Sequence, residues 1–451
     1  MISGIKKVFG FLPAKSFIFV VIASIISAVL FAHFYDVSVL AIWWRTLLDC
    51  ISEGNFSQYQ HVLASMNLET NYPLFLNIVA SVWILPLHII LNIFHLESHL
   101  WIYILWIKVL LIISNLGIAK AMQGILESSG VSKERQINVS LIYLLSPFVQ
   151  FYSIGMGQID AFGLLFAMLC FLSLQKGSRT GFVIYAVVSI LLKPFVVFII
   201  VPLLIYAWFK DKKLSIICAV SVVAVYFVHN LLSDVLIQDY SRGSKFWNMF
   251  VFYPRLMEWT VLGIPLVIIL IALVCLFFLI WGIFRPFGVF HVLLCQTVLL
   301  VIFEALIRQH PQWFIYFAVS AVMLMAFCNR SKIAFLLFII LEIVYCLCGI
   351  VFFDEGNIIT SYSDAGLIGK ILDYNGFNAG EYFGSLMPDI SAITITLLSV
   401  MSLVYVIGAI LLHRSYDNKK EDEITHPLLS AIIAYIPSLA LSAFVTVGYI
   451  I

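Results

Sequence analysis

Apolar residues run along this chain in long blocks rather than in alternation, and each block ends at polar or charged positions. The blocks are roughly 15 to 25 residues long, which suits helices crossing hydrocarbon and excludes the alternating strands of a barrel. Within lipid every backbone N–H and C=O has to be paired inside the protein, so each block predicts a helix. Read back from the C-terminus, the predicted spans are 428–450, 390–412, 333–352, 312–328, 289–307, 261–284 and 214–232. Upstream lie spans 160–174 and 138–152, and the first span runs from Ser16 to His33. Residues 73–95 and 100–118 look like two further crossings, which brings the expected total to about twelve to fourteen.

Charge orients this pattern, because lysine and arginine collect on the cytoplasmic side. KDKK at 210–213, Arg285, NRSK at 329–332 and HRSYDNKK at 413–420 fall on one side of the alternation. The loops near 233–258, 308–311 and 353–389 fall on the other, which is the predicted outer face. LQKGSR at 174–179 and KDKK at 210–213 both belong inside, so the apolar stretch between them has to enter and return as two short helices. Proline interrupts helices and restricts the residue before it, which places the break at Lys193-Pro194. SIGMGQIDA at 153–161 then lies on the outer face. Residues 73–118 conflict with this alternation. An odd number of crossings is required there, and Pro86 is a candidate point for a hairpin or a re-entrant piece.

Composition agrees with a lipid setting. Of 451 residues, 63% are hydrophobic and 11% charged, and the mean hydropathy is +1.08. No soluble domain has enough interior to hide that much apolar surface. A net charge of +1 gives no reason to expect nucleic acid as a partner. Lys6, Lys7 and Lys15 before the first apolar run could announce a signal peptide, but no small-residue cleavage site follows and the run is long enough to span. Short loops favour a bacterial cytoplasmic membrane over the endoplasmic reticulum. Cys50 is expected near the outer surface. The other seven cysteines fall in or beside apolar runs and read as small apolar residues, with no metal-site spacing.

Between the first two blocks, residues 36–73 hold Val37, Leu40, Trp44, Leu47, Leu48 and Ile51 at helical spacing, with Ser38, Arg45, Asp49 and Ser52 on another face. The pattern predicts a helix lying on the outer membrane surface, with Trp43 and Trp44 at headgroup depth.

Four polar clusters can meet on the outer face: His33, Tyr35 and Asp36; Gln158 and Asp160; Lys193; and Arg308, Gln309, His310 and Gln312. Ionisable groups this close to hydrocarbon are costly and usually mark a pathway or a site. Plainer roles exist. Asp36 and Asp160 could be helix N-caps, Lys193 could reach the headgroups, and Arg308 and His310 could be ordinary loop charges. A carboxylate and several cations on one face nevertheless suit one reaction class. Breaking the bond between a sugar and a polyprenyl phosphate builds negative charge on the leaving phosphate, which cations stabilise. A carboxylate accepts the proton of the attacking hydroxyl.

The order of motifs resembles the GT-C superfamily of polytopic glycosyltransferases that use polyprenyl-phosphate sugars, in its hexose (mannose or glucose type) branch. Asp36, Trp43, Glu53, Gly54 and Tyr59 carry the resemblance, followed by NYPLFL at 71–76, GQIDA at 157–161, LLKP at 191–194 and RQHPQW at 308–313. FWNMF at 246–250 is similar to an aromatic outer-loop segment and contributes Trp247. The resemblance covers most of residues 16–328. It implies a GT-C-like transmembrane catalytic module over 1–328 and variable C-terminal helices over 329–451. It also implies Asp36 as catalytic base and Arg308 and His310 as donor-phosphate ligands, with Lys193 beside them. Gln158, Asp160, Tyr35, Gln312 and Trp247 would contact substrate, and no metal or cofactor is implied. The implied partners are a polyprenyl-phosphate sugar donor, a glycan or glycolipid acceptor and membrane lipid. NYPLFL has one proline where the family pattern has two. A transporter or flippase of a lipid-linked glycan is the alternative from another class. A glycan polymerase or ligase is a nearer alternative.

Overall fold

A computed structural model describes residues 11–30, 35–68, 72–96, 99–237, 260–261, 263–306, 311–352, 390–413 and 427–447. The described chain is helical apart from one short antiparallel pair, Thr260–Val261 with Ile264–Pro265. In chain order the helices are α1 (Ala14–Leu30), α2 (Tyr35–Ser52), α3 (Tyr59–Ser65), α4 (Leu74–Ile93), α5 (Leu100–Glu127), α6 (Lys133–Leu145), α7 (Asp160–Gln175) and α8 (Arg179–Leu192). There follow α9 (Val197–Lys210), α10 (Lys212–Leu236), α11 (Leu266–Phe284), α12 (Val289–Leu306), α13 (Ile315–Met325), α14 (Ser331–Phe352), α15 (Ile390–His413) and α16 (Pro427–Val447).

Seven of these are long and apolar enough to cross a membrane, and α6 with the π-helical segment Phe148–Gly155 forms an eighth, bent by 45°. Five more apolar helices have 10 to 17 residues. The chain is an all-α, multi-pass integral membrane protein. Against an expected twelve to fourteen full spans, several helices on the pathway through 160–210 are short: α8 and α9 have 14 residues each, ~21 Å at 1.5 Å per residue. Hydrocarbon is about 30 Å thick, so where these helices end, the chain ends inside the bundle rather than at its rim.

The basic loops gather at one end. Arg135 Nη1 donates to the carbonyls of Ala326 and Cys328 at 3.2 and 3.4 Å. The Asn329 amide donates to Leu412 O, and the His413 ring stacks on Phe290. Arg179 pairs with Asp211 at 2.8 Å, joining the two lysine-bearing turns around α8 and α9. The opposite end collects the C-terminal end of α1, the turn before α7, Lys193 and the start of α13.

Contacts along α5 fix how residues 73–118 sit against the rest of the bundle. Lys108 donates to Ala28 O and Gly155 O, level with the far ends of α1 and the π-helical segment. At its other end, Gln123 accepts from Lys133. The stretch from Lys108 to Glu127 alone is ~30 Å long. Residues 100–107 rise beyond that level, and α4 packs there: Trp83 stacks on Trp106 at 5.3 Å, and His88 Nδ1 lies 2.9 Å from the Tyr103 hydroxyl. So α4 and α5 run antiparallel, and α4 begins near Lys193, whose ammonium faces the Tyr72 ring just before it. Pro86 sits within α4 without breaking it, and no hairpin forms at this proline.

Helix α2 forms where the amphipathic pattern places it, and its tryptophans are buried against protein. It is packed between α4 and α5, where Trp44 is fully buried and Trp43 nearly so. Trp44 Nε1 donates to Asn77 Oδ1 at 3.2 Å, Ser81 Oγ donates to Trp44 O, and Tyr59 OH donates to Trp43 O. Cys50 is likewise buried. Buried indole N–H groups need partners, and α4 supplies one to Trp44.

Candidate functional site

Asp160 opens α7, where the unpaired N–H groups of a helix start favour a carboxylate. It is not the N-cap, a position held by Ile159. Its Oδ1 lies 3.2 Å from Lys193 Nζ and accepts from Tyr316 OH at 2.7 Å. Both charged side chains are buried, Asp160 at 1% and Lys193 at 4% exposure, so Lys193 does not reach out to headgroups. Its ammonium lies 4.2 Å from the centre of the Tyr72 ring. Asp160 Oδ2 is buried without a hydrogen-bond partner.

The local chain explains how a lysine comes to sit there. α8 ends at Leu192 because Pro194 cannot continue it, leaving Lys193 extended before a single 3-10 turn, Pro194–Val196. The predicted break is present at that residue. Gly163 lets this strand-like residue lie against α7, since a Cβ there would come within 2.7 Å of Lys193 Cβ. A buried ion pair costs desolvation that its own attraction scarcely offsets, so its presence is a poor argument for stability and a better one for a site.

The GQID segment is not the exposed outer loop its sequence suggests. Residues 153–161 are buried throughout. The π-helical segment delivers them, with the amides of Met156 and Gln158 donating to Phe151 O and Ser153 O. π-helical turns recur at functional sites. Gly157 adopts φ +77°, and a Cβ on it would fall 2.6 Å from Val37 Cβ. The turn therefore touches the first turn of α2, where Asp36 is the second residue. Gln158 is buried in the same turn.

The other predicted site residues divide by what is described. The side chains of Tyr35, Asp36 and Gln312 lie outside the described residues, as do Trp247, Arg308 and His310 altogether. The flanks of 307–310 are described, and they lie beside Lys193: Phe195 stacks against Trp313 at 4.4 Å and against Phe303 at 5.6 Å. Sequence reasoning missed Tyr316 and Tyr72 as partners of the ion pair. A tyrosine inside an apolar run was the available signal, because its hydroxyl needs a partner when buried. Among the described residues no group of three or more His, Cys, Asp or Glu is placed to hold a metal ion.

Comparison with known protein families, with characterised proteins and with solved structures returns no match.

Proposed function

We propose that this chain is a membrane-embedded inverting glycosyltransferase with a GT-C-like fold of about twelve to fourteen crossings. It moves a hexose, of mannose or glucose type, from a polyprenyl phosphate to a glycan or glycolipid acceptor on the outer face of a bacterial cytoplasmic membrane. The supporting observation is the buried Lys193–Asp160–Tyr316 cluster, in contact through Gly157 with the first turn of α2 and opposite the basic loops. In this reading Asp36 takes the proton of an acceptor hydroxyl. The hydroxyl oxygen bonds to the anomeric carbon as the bond from that carbon to the phosphate oxygen breaks, and the electron pair leaves with the phosphate. Arg308, His310 and Lys193 hold the charge that develops there. Asp160 and Tyr316 keep the Lys193 ammonium in place when the site is empty. Gln158, Tyr35, Gln312 and Trp247 contact the sugars.

Purified protein given a labelled polyprenyl-phosphate hexose and a lipid-linked glycan acceptor is expected to transfer the label. Asp36→Asn is expected to lower kcat by about 10²- to 10⁴-fold, the usual contribution of a general base. Undiminished turnover in the folded variant would remove Asp36 from the mechanism. Movement of a lipid-linked glycan across the bilayer is a second reading, favoured by Lys108, Glu304 and Glu342, ionisable side chains buried within apolar helices. Glycan translocation in vesicles without any label transfer would select it.

A further inference from the structure

Lys108 is the one charged residue in the apolar stretch 100–118, and it is fully buried. At 0% exposure its ammonium does not reach water or headgroups, so protein groups have to replace the lost hydration. Ala28 O at 3.1 Å and Gly155 O at 2.6 Å are two of those groups. Ala28 lies near the end of the described part of α1. Gly155 is the last residue of the π-helical segment. An ammonium is a compact head with three donors and can bond to two converging carbonyls at once.

Both carbonyls are close in sequence to residues of the candidate site. The chain leaving Ala28 reaches Asp36 eight residues later, and the chain leaving Gly155 passes through Gly157 to Gln158 and Asp160. Gly157 then meets Val37, beside Asp36. We infer that Lys108 is a positioning residue: by tying Ala28 O to Gly155 O it sets the spacing between the segment carrying Asp36 and the segment carrying Gln158 and Asp160. This rests on the transferase reading for the identity of the reacting groups, but the tie itself is a property of the fold. Asn115 reinforces it about two turns further along α5, donating to Ser153 Oγ at 2.9 Å and accepting from Tyr143 OH at 2.8 Å.

The test is Lys108→Met, which keeps length and apolar volume and removes the donors. Backbone hydrogen exchange is expected to quicken in residues 28–37 and 155–159 and to stay unchanged in α7, α12 and α13. In the transfer assay kcat is expected to fall ~10- to 100-fold, the scale of a displacement of about 1 Å. The donor KM is expected to rise less than kcat falls, because Arg308 and His310 lie on neither segment. Wild-type exchange in both segments of the folded variant would overturn the inference. So would exchange quickened evenly through the bundle with kcat and KM both altered, which is the mark of a general stability residue. Where the methionine variant does not fold, Lys108→Arg decides: its planar head cannot sit on both carbonyls at the same spacing, so local quickening supports the inference, and wild-type exchange with unchanged kcat opposes it. If wild-type protein transfers no hexose, the transferase reading fails while the exchange measurement still decides the role of Lys108.

Discussion

Glu342 shows what burial does to a single carboxyl group in this bundle. It lies in α14 with no exposure, and neither carboxyl oxygen has a hydrogen-bond partner. Asp160 is as deeply buried but has Lys193, Tyr316 and a helix start beside it. An unsatisfied buried polar group costs about 1–3 kcal/mol. Glu342→Leu is therefore expected to raise the thermal midpoint in detergent, by an amount equivalent to ~1–3 kcal/mol. A lower midpoint would mean that the carboxyl group is satisfied by a partner in the membrane. Of the two, only Asp160 is singled out by the sequence; Glu342 falls within the predicted span 333–352. Nothing in the sequence separates the paired one from the unpaired one, because the partner of Asp160 is 33 residues away at Lys193 and its second partner is 156 away at Tyr316.

At the scale of elements, the site depends on where helices stop and how closely they approach. The stop at Lys193 was legible, since proline dictates it locally. The contact between the GQID turn and α2 was not, because it depends on the absence of a side chain at Gly157. Gly157→Ala faces two costs: a residue with a Cβ in left-handed conformation costs ~1–2 kcal/mol, and the new methyl lies 2.6 Å from Val37 Cβ. The variant is expected to lose stability by at least that amount and to lose transfer activity more steeply than stability, measured side by side by thermal unfolding and the label assay. Equal, small losses in both would show that α2 and the turn can part without consequence. The same logic applies to α2. Its amphipathic pattern is legible, and the partners of its apolar face, α4 and α5, are not.

For the whole molecule, sidedness is the property from which the site follows. Two exposed turns with open space around them, at Gly54 and Gly177, lie on opposite sides of the predicted topology. A short epitope inserted after Gly54 is expected to bind antibody on intact spheroplasts. One inserted after Gly177 is expected to do so only after permeabilisation. The reverse result would put the Lys193–Asp160 cluster on the cytoplasmic side and sink the outer-face transferase. The helices after residue 330 pack on the rest of the bundle, with Ser438 Oγ donating to Leu145 O and Tyr345 resting on Phe148.

Block length and lysine placement determined by themselves that this is an all-α membrane protein with a charged side and an opposite side, and proline alone determined the interruption at Lys193. These are local or compositional effects: hydrocarbon thickness sets helix length, and charge follows the side of the membrane. Tertiary structure decided the rest. It buried the turn expected on the outer face, and it packed α2 between α4 and α5. It also gave Asp160 its lysine and tyrosine, and placed Lys108 of α5 on the carbonyls of Ala28 and Gly155. Such pairings depend on side chains from distant blocks reaching the same depth, and depth within a bundle is fixed only when all of its helices pack together.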